Sequence, residues 1–496
     1  MKDFIKINPS DNVAVALRDL KKGDVIPLGD KTLVIVDYVP KGHKFALKEI
    51  KEGYDVVKYG YPIGHALSDI PEGAWVHTHN IKTNLGDILN YVYDKKEAVA
   101  AMEYDDTITF KGYKRKTGTV GIRNELWIVP TVGCVNGIGE MIIERFKREV
   151  KIEGIDDIQI FKHSYGCSQL GDDHINTRKI LSDIVKHPNA GGVLVLGLGC
   201  ENNNIPSFKE NLGQYDEERV KFLIAQEVND DIEEGVKLLK ELYQKMKEDV
   251  RVDVDISQLV VGLKCGGSDG FSGITANPLL GAFTDFIVSH GGSAVLTEVP
   301  EMFGAEQILM ERCQDEDVFN RTVNMINGFK QYFLEHNQPI YENPSPGNKA
   351  GGITTLEEKS LGCVQKGGKS IVVDVLNYGD TVKKRGLNLL YGPGNDLVSS
   401  TALAASGCHL ILFTTGRGTP FGTFVPTLKI STNTELYRKK KNWIDFNAGT
   451  LIEDEGIDVV LDRLVNYVLK VASGDKVNNE KNNFKEIAIF KSGVTL

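Results

Sequence analysis

The predicted fold class is α/β, with a small N-terminal all-β domain ahead of a larger α/β region built on mostly parallel sheets. Three observations predict it. Up to about residue 95, short strand-like segments are punctuated by Gly and Pro at hairpin spacing. From Tyr113 onward, apolar runs of strand length alternate with amphipathic segments, which is the pattern of βαβ units. And a chain of 496 residues exceeds what one hydrophobic core holds, so several domains are expected.

Taken in order, the all-β domain is assigned to residues 1–95, with strands expected over 12–17, 31–36, 45–47, 56–59 and 74–78. A charged stretch without a clear period, residues 93–106, marks a linker, assigned to 96–112. An α/β domain is expected over 113–255, on apolar runs 126–132, 158–161, 193–198 and 222–225 and amphipathic segments 138–150, 177–185 and 231–247. A second α/β domain is expected over 256–496. It repeats the alternation through 259–263, 281–289, 293–297, 371–374, 387–391 and 409–414, with a Pro- and Gly-containing loop at 338–352.

The composition narrows the function classes. With 58 Lys and Arg against 68 Asp and Glu, scattered rather than blocked, no basic face is available for nucleic acid. The longest basic run, 438–441, reads as a solvated helix end. No apolar run has the length of a membrane span, and the first residues lack an apolar signal core. Seven cysteines, an odd number dispersed from Cys134 to Cys408, argue against a disulfide framework and for a reducing cytoplasm. An acidic protein with an anionic substrate must concentrate positive charge locally, through Arg, a metal ion or backbone amides.

Three constellations carry candidate chemistry. Cys134, Cys167 and Cys200 each follow a Gly near the carboxyl end of an expected strand, 33 positions apart, and Cys265 ends another strand. Ligands of parallel sheets bind beyond the strand carboxyl ends, so these thiols are candidates for iron or an iron–sulfur cluster, although small Cys also simply fits tight turns. In Trp75-Val76-His77-Thr78-His79-Asn80, strand alternation would aim His77 and His79 to one side, where two imidazoles can hold one cation. Glycine-rich turns at 265–273, 391–396 and 414–422 offer backbone amides to a carboxylate, and Arg417 offers a planar fork that grips one through two hydrogen bonds. The Gly197-Leu198-Gly199 element lacks the third Gly of a dinucleotide fingerprint and no GxxxxGK[ST] occurs, so no nucleotide cofactor is expected.

Motifs along nearly the whole chain resemble the altronate/galactarate dehydratase family. They are Gly64-His65 with Val76 to Asn80, Gly118 to Asn124, His163 to Gly171, Val299-Pro300-Glu301, Pro344 to Asn348, Gly392 to Asp396 and Gly416 to Pro420. The resemblance implies a β-clip domain of the SAF type, an Fe²⁺ or Mn²⁺ ion, and dehydration of D-altronate to 2-dehydro-3-deoxy-D-gluconate; the iron–sulfur cluster that the thiols suggest is the secondary cofactor expectation. It points to a small sugar-acid substrate and a homo-oligomer, expected as a dimer. The chemistry fits the residues: removing the proton at C2 of an aldonate builds charge beside a carboxylate, which a cation and an Arg can stabilise. The expected metal ligands are His77 and His79, with Cys134 and Cys167 as companions. His163, Asp172, His174 and Glu301 are the candidates for acid and base. Arg123, Asn124, Ser268, Asp269, Asn395, Asp396, Arg417 and Thr419 are the candidates for holding substrate. Galactarate or another sugar acid, an iron–sulfur hydro-lyase built on Cys134, Cys167 and Cys200, and a sugar-acid sensor without catalysis stay open as alternatives.

Overall fold

The computed structural model describes residues 2–86, 88–96, 98, 107–453 and 455–496, so most of the expected linker lies outside the described residues. The fold class is the expected one. The N-terminal domain is made of short antiparallel strands: one sheet orders Phe4–Ile5, Val13–Ala16, Lys44–Ala46 and Trp75–Val76, and another orders Asp55–Lys58, Tyr61–Ala66 and Ile81–Lys82. The hairpin between Asp55–Lys58 and Tyr61–Ala66 turns on Tyr59 and Gly60, both left-handed (φ 62° and 81°), the twist that suits a two-residue connection.

The middle domain is a four-stranded parallel sheet in the order Asp157–Ile160, Glu125–Pro130, Ala190–Gly197, Val220–Ile224. Its pleat separates two cores. Leu126, Ile128, Leu194 and Leu196 face helices Asn136–Glu149 and Asp231–Met246, whereas Trp127, Val129, Val193 and Val195 face helices Gly171–Lys186 and Ile205–Leu212. The C-terminal domain is a seven-stranded parallel sheet in the order Val372–Leu376, Gly386–Leu390, Ser293–Leu296, Val260–Cys265, Leu410–Thr415, Thr427–Ser431, Phe446–Asn447. Val295, Ile411 and Phe413 on one of its faces belong to the same apolar cluster as Trp127 and Val195, so a continuous core joins the two α/β domains.

Two segments cross between domains. Thr109–Lys114 pairs antiparallel with Val252–Asp255, clasping the entry and exit of the middle domain. The last residues return to that domain: Lys485 pairs with Glu125 and Asp157, Asp173 accepts from the amides of Ser492 and Gly493, and the Leu496 amide donates to Ser168.

The β domain docks on the C-terminal domain through backbone-to-backbone approach at glycine. A Cβ on Gly270 would lie 1.9 Å from the Gly42 carbonyl oxygen, and one on Gly352 would lie 2.5 Å from the same atom. Gly270→Ala is therefore expected to cost about 1–3 kcal/mol by forcing this contact apart. It should appear as a lowered melting temperature and as faster proteolytic release of the β domain; an unchanged digestion pattern would count against the docking.

Candidate active site

The seven-stranded sheet has a reversal of strand order at its first strand. From Val260–Cys265 the chain moves to Ser293–Leu296 on one side and returns later to Leu410–Thr415 on the other. Loops diverge there at the carboxyl ends, and such a crevice is where open parallel sheets bind ligands. The crevice carries Lys264, Cys265, Glu298, Glu301, Asp396 and Arg417 from successive strand ends.

Beneath its rim lies a buried charged cluster. The Lys264 ammonium contacts Glu298 and lies 2.8 Å from Asp396; Lys366 reaches the other Glu298 oxygen at 2.9 Å; Lys359 reaches Glu301 at 2.7 Å. The remaining Glu301 oxygen is 3.1 Å from the thiols of both Cys265 and Cys363, which are 3.4 Å apart. Among the described residues, these three are the one group of His, Cys, Asp or Glu with ligand atoms all within 4.8 Å of one another. Local structure explains the convergence. Glu298 is left-handed (φ 70°) and throws the chain into the turn Val299–Glu301, while Lys359 and Cys363 sit one helical turn apart on Leu356–Cys363. Burial alone would raise both carboxyls. For Glu301 the ammoniums of Lys359, Lys264 and Lys366 outweigh it and hold the group well below the carboxylate range, whereas for Glu298 burial and the charge of Glu301 prevail and raise it.

The β domain supplies a second layer. Glu358 accepts from Lys44 at 2.8 Å and from Lys58 at 2.8 Å, all three side chains being buried. Burial pushes Lys44 down to about 8, while Glu358 is held low by its two lysines. Glu357, next in the helix, accepts from Thr83 and from the amide of Asn84.

Above this layer a crevice opens between Lys41, Gly42, Asp269, Gly351, Arg417 and Lys439. Asp269 also lines an inner cavity bounded by Lys58, Ser268, Glu358, Lys359 and Cys363. Its buried carboxylate accepts from Thr432, Ser272 and Asn433, and burial raises it. The turn at Gly416 needs glycine because a Cβ would lie 2.1 Å from the Asp269 side chain. The exposed Arg417 guanidinium makes no hydrogen bond to the described residues; only its backbone amide is tied, to Gly267 at 2.8 Å.

The other expected substrate residues divide. Asp396 and Ser268 lie at the crevice, but the Asn395 side chain caps the helix Asp396–Ala405 and Thr419 accepts from the Phe421 amide. Arg123 and Asn124 are corrections: both are fully buried. Arg123 spends its guanidinium on Glu480 and on the carbonyls of Ile122, Val471 and Asp475, and Asn124 bridges Arg115 and Met246. Arg123 holds the return of the C-terminal segment, Asn124 braces the middle domain, and neither faces a ligand.

The strand carrying His77 and His79 ends at Val76, and the chain turns over residues 77–80 around Asn80, so alternation does not align the two rings as expected. Both instead contact Trp75, with ring centroids 4.9 and 5.0 Å away. His77 Nε2 lies 2.9 Å from the Lys349 carbonyl, which makes it the donor and leaves Nδ1, 3.1 Å from the Thr78 hydroxyl, with the lone pair. Burial lowers its pKa and favours the neutral ring. A neutral imidazole anchored through its other nitrogen to a carbonyl is the donor state that a divalent ion requires, so His77 fits the ion that the resemblance implies. Lys349 adjoins Asn348, which donates to the Ser268 carbonyl, and this brings His77 to the rim of the same crevice.

Of the four expected acid–base residues, Glu301 alone lies there. His163 is buried with both ring nitrogens committed, to the Pro130 carbonyl and the Tyr165 amide. Asp172 is exposed in the first turn of Gly171–Lys186, and His174 faces Arg178. Cys134, Cys167 and Cys200 are exposed on the middle-domain loops and are not gathered with His77 and His79. Sequence reasoning missed Lys264, Glu298, Lys359, Cys363 and Lys366. The available signal was Lys264 itself, a charge at the end of the apolar run 259–263.

Models of three successive family domains match the chain: the altronate/galactarate dehydratase SAF domain over residues 2–84, the second domain of D-galactarate dehydratase/altronate hydrolase over 112–247, and the D-galactarate/altronate dehydratase C-terminal domain over 256–495. The chain belongs to the altronate/galactarate dehydratase family. It is an enzyme of the hydro-lyase class. Its curated relatives include altronate dehydratase of Bacillus subtilis, 59% identical with all of both chains covered, and altronate dehydratase of Escherichia coli, 56% identical over 99% of this chain and all of that one. Galactarate dehydratase (L-threo-forming) of Escherichia coli is 34% identical over 95% of this chain and 93% of its own. Among the described residues no helix is long and apolar enough to cross a membrane.

The Lys44–Glu358–Lys58 triad sets an acid limit. The Glu358 carboxyl lies below the ordinary value of 4.5, so its stabilisation is complete above that pH and is lost as pH falls through and below it. Glu358→Gln leaves two buried lysines without their anion and is expected to cost about 3–5 kcal/mol at neutral pH. Thermal unfolding followed from pH 7 downward should show a smaller acid-dependent loss in the variant than in the native chain.

Proposed function

We propose that this enzyme dehydrates D-altronate to 2-dehydro-3-deoxy-D-gluconate with the aid of Fe²⁺ or Mn²⁺. The observation that carries the reading is the 59% and 56% identity to altronate dehydratases across the whole chain, against 34% to a galactarate dehydratase. The crevice supports it chemically, because it offers an uncommitted guanidinium at the mouth, ammonium groups within, and carboxyls of separated acidity between them.

In this reading Arg417 takes the substrate carboxylate through paired hydrogen bonds, and the glycines at 267 and 416 let the backbone come close. Asp269, fixed by Thr432, Ser272 and Asn433, orients hydroxyl groups between the outer crevice and the inner cavity. Glu301 is the proton-transfer group. Lys359 keeps it ionised to accept the C2 proton, which it returns to the 3-hydroxyl as the C3–O bond breaks and water leaves, and the resulting enol becomes the 2-keto product; the thiols of Cys265 and Cys363 hold the accepting oxygen in place. The ammoniums of Lys264 and Lys359 offset the charge that grows on the substrate as that proton leaves. His77 and His79 would hold the divalent ion, which when bound supplies Lewis-acid stabilisation of charge at the carboxylate and 2-hydroxyl. The absence of a disulfide among seven free cysteines suits a reducing cytoplasm.

The test is anaerobic protein loaded with Fe²⁺ or Mn²⁺ and offered a panel of hexonates and hexarates, with 2-keto-3-deoxy product scored. D-Altronate should give the highest kcat/KM; silence across the panel removes the reading, and preference for galactarate reassigns the substrate. Arg417→Ala should lower kcat/KM about 10²-fold, the scale of one charged contact. His77→Ala should abolish the response to added metal while leaving the melting temperature close to native.

A further inference from the structure

We propose that Cys134, Cys167 and Cys200 form a three-thiolate site for an iron–sulfur cluster in the middle domain, with one iron left free of protein ligands. Cysteine is among the most buried residue types, and Cys265, Cys313, Cys363 and Cys408 are buried here. Cys134, Cys167 and Cys200 are all exposed, and each sits just beyond the carboxyl end of one of three adjacent parallel strands, Glu125–Pro130, Asp157–Ile160 and Ala190–Gly197.

The three loops are locked into one another. The Gly133 amide donates to the Tyr165 carbonyl at 2.9 Å, the Asn203 amide to the Gly166 carbonyl at 3.0 Å, the Ser168 amide to the Asn202 side chain at 2.9 Å, and the Asn203 side chain to the Thr131 carbonyl at 3.1 Å. Every cysteine follows a glycine that the packing requires. A Cβ would lie 2.6 Å from the His163 oxygen at Gly133, 2.0 Å from the Thr131 oxygen at Gly166 and 2.7 Å from the Gln226 side chain at Gly199. His163 belongs to this scaffold, its two ring nitrogens bracing the loop ahead of Cys167. Two of the sulfurs already accept side-chain hydrogen bonds, Cys167 from Ser168 at 3.8 Å and Cys200 from Gln226 at 3.6 Å.

Donor type and spacing select the cofactor. Thiolates are soft ligands, which suit iron–sulfur clusters, zinc or cuprous ions. A single ion with metal–sulfur bonds of about 2.3 Å draws its thiolates to within roughly 4 Å of one another. These three sulfurs are not all within 4.8 Å of one another, so a single-ion site is not preformed, whereas a cluster offers a separate iron to the cysteine of each interlocked loop. On assembly each thiol loses a proton and each thiolate binds one iron; two ferrous ions, two ferric ions and four sulfides make up the cluster, and the fourth iron takes water.

The experiment is anaerobic reconstitution of the full chain with equal amounts of ferrous and ferric iron and with sulfide, followed by desalting. About four irons and four acid-labile sulfides per chain are expected, with broad visible absorption that dithionite bleaches. Single Cys→Ser variants at 134, 167 and 200 should lose most of the sulfide at an unchanged melting temperature, because these side chains are exposed. His77→Ala should keep the cluster, which separates this site from the proposed divalent-ion ligands. Iron bound without sulfide, or a full complement of sulfide in the triple variant, overturns the proposal.

Discussion

The structure depends on one electrostatic constraint: the carboxylates of Glu298, Glu301 and Glu358, buried away from water, are each met by lysine. Glu358 sits between Lys44 and Lys58, Glu301 against Lys359, and Glu298 between Lys264 and Lys366, all at or below the crevice of the seven-stranded sheet. A buried ion pair costs solvation on both sides, so such an array is weak evidence of stability and stronger evidence of required charge at a fixed place. It also makes the β domain part of the site, because Lys44 and Lys58 come from that domain and Glu358 from the helix that carries Lys359 and Cys363.

The middle domain has a different logic. Its parallel sheet ends in loops that carry exposed thiols instead of charge, and its own polar groups are spent on construction. Arg123 and Glu480 close the return of the C-terminal segment, Lys485 meets Glu125 and Asp157, and Asp173 receives the amides of Ser492 and Gly493. The two α/β domains are thereby joined by an apolar cluster on one side and by ion pairs with the last residues on the other.

Much of the architecture was legible in the chain because it follows from periodicity. Leu126, Trp127, Ile128 and Val129 form an unbroken apolar run because both faces of a parallel strand are covered, and the hairpin spacing of Gly and Pro marked the β domain. Local signals misled where the partner was remote. Arg123 and Asn124 look like substrate ligands in a motif-rich stretch, yet the residue that claims Arg123 lies 357 positions away. His77 and His79 were placed on a strand that stops one residue before them.

What the sequence by itself determined is the fold class, many of the elements and the glycine turns, since each follows from local periodicity and the few residues around it. Only the tertiary structure decided which charges share a cavity: Lys264, Glu298, Glu301, Lys359, Cys363 and Lys366 arrive from three separate segments, and no spacing along the chain encodes their meeting. The physical reason is that desolvation is a property of the assembled interior. A lysine in sequence is an exposed charge until the neighbours that exclude water, and the carboxylate that answers it, are folded against it.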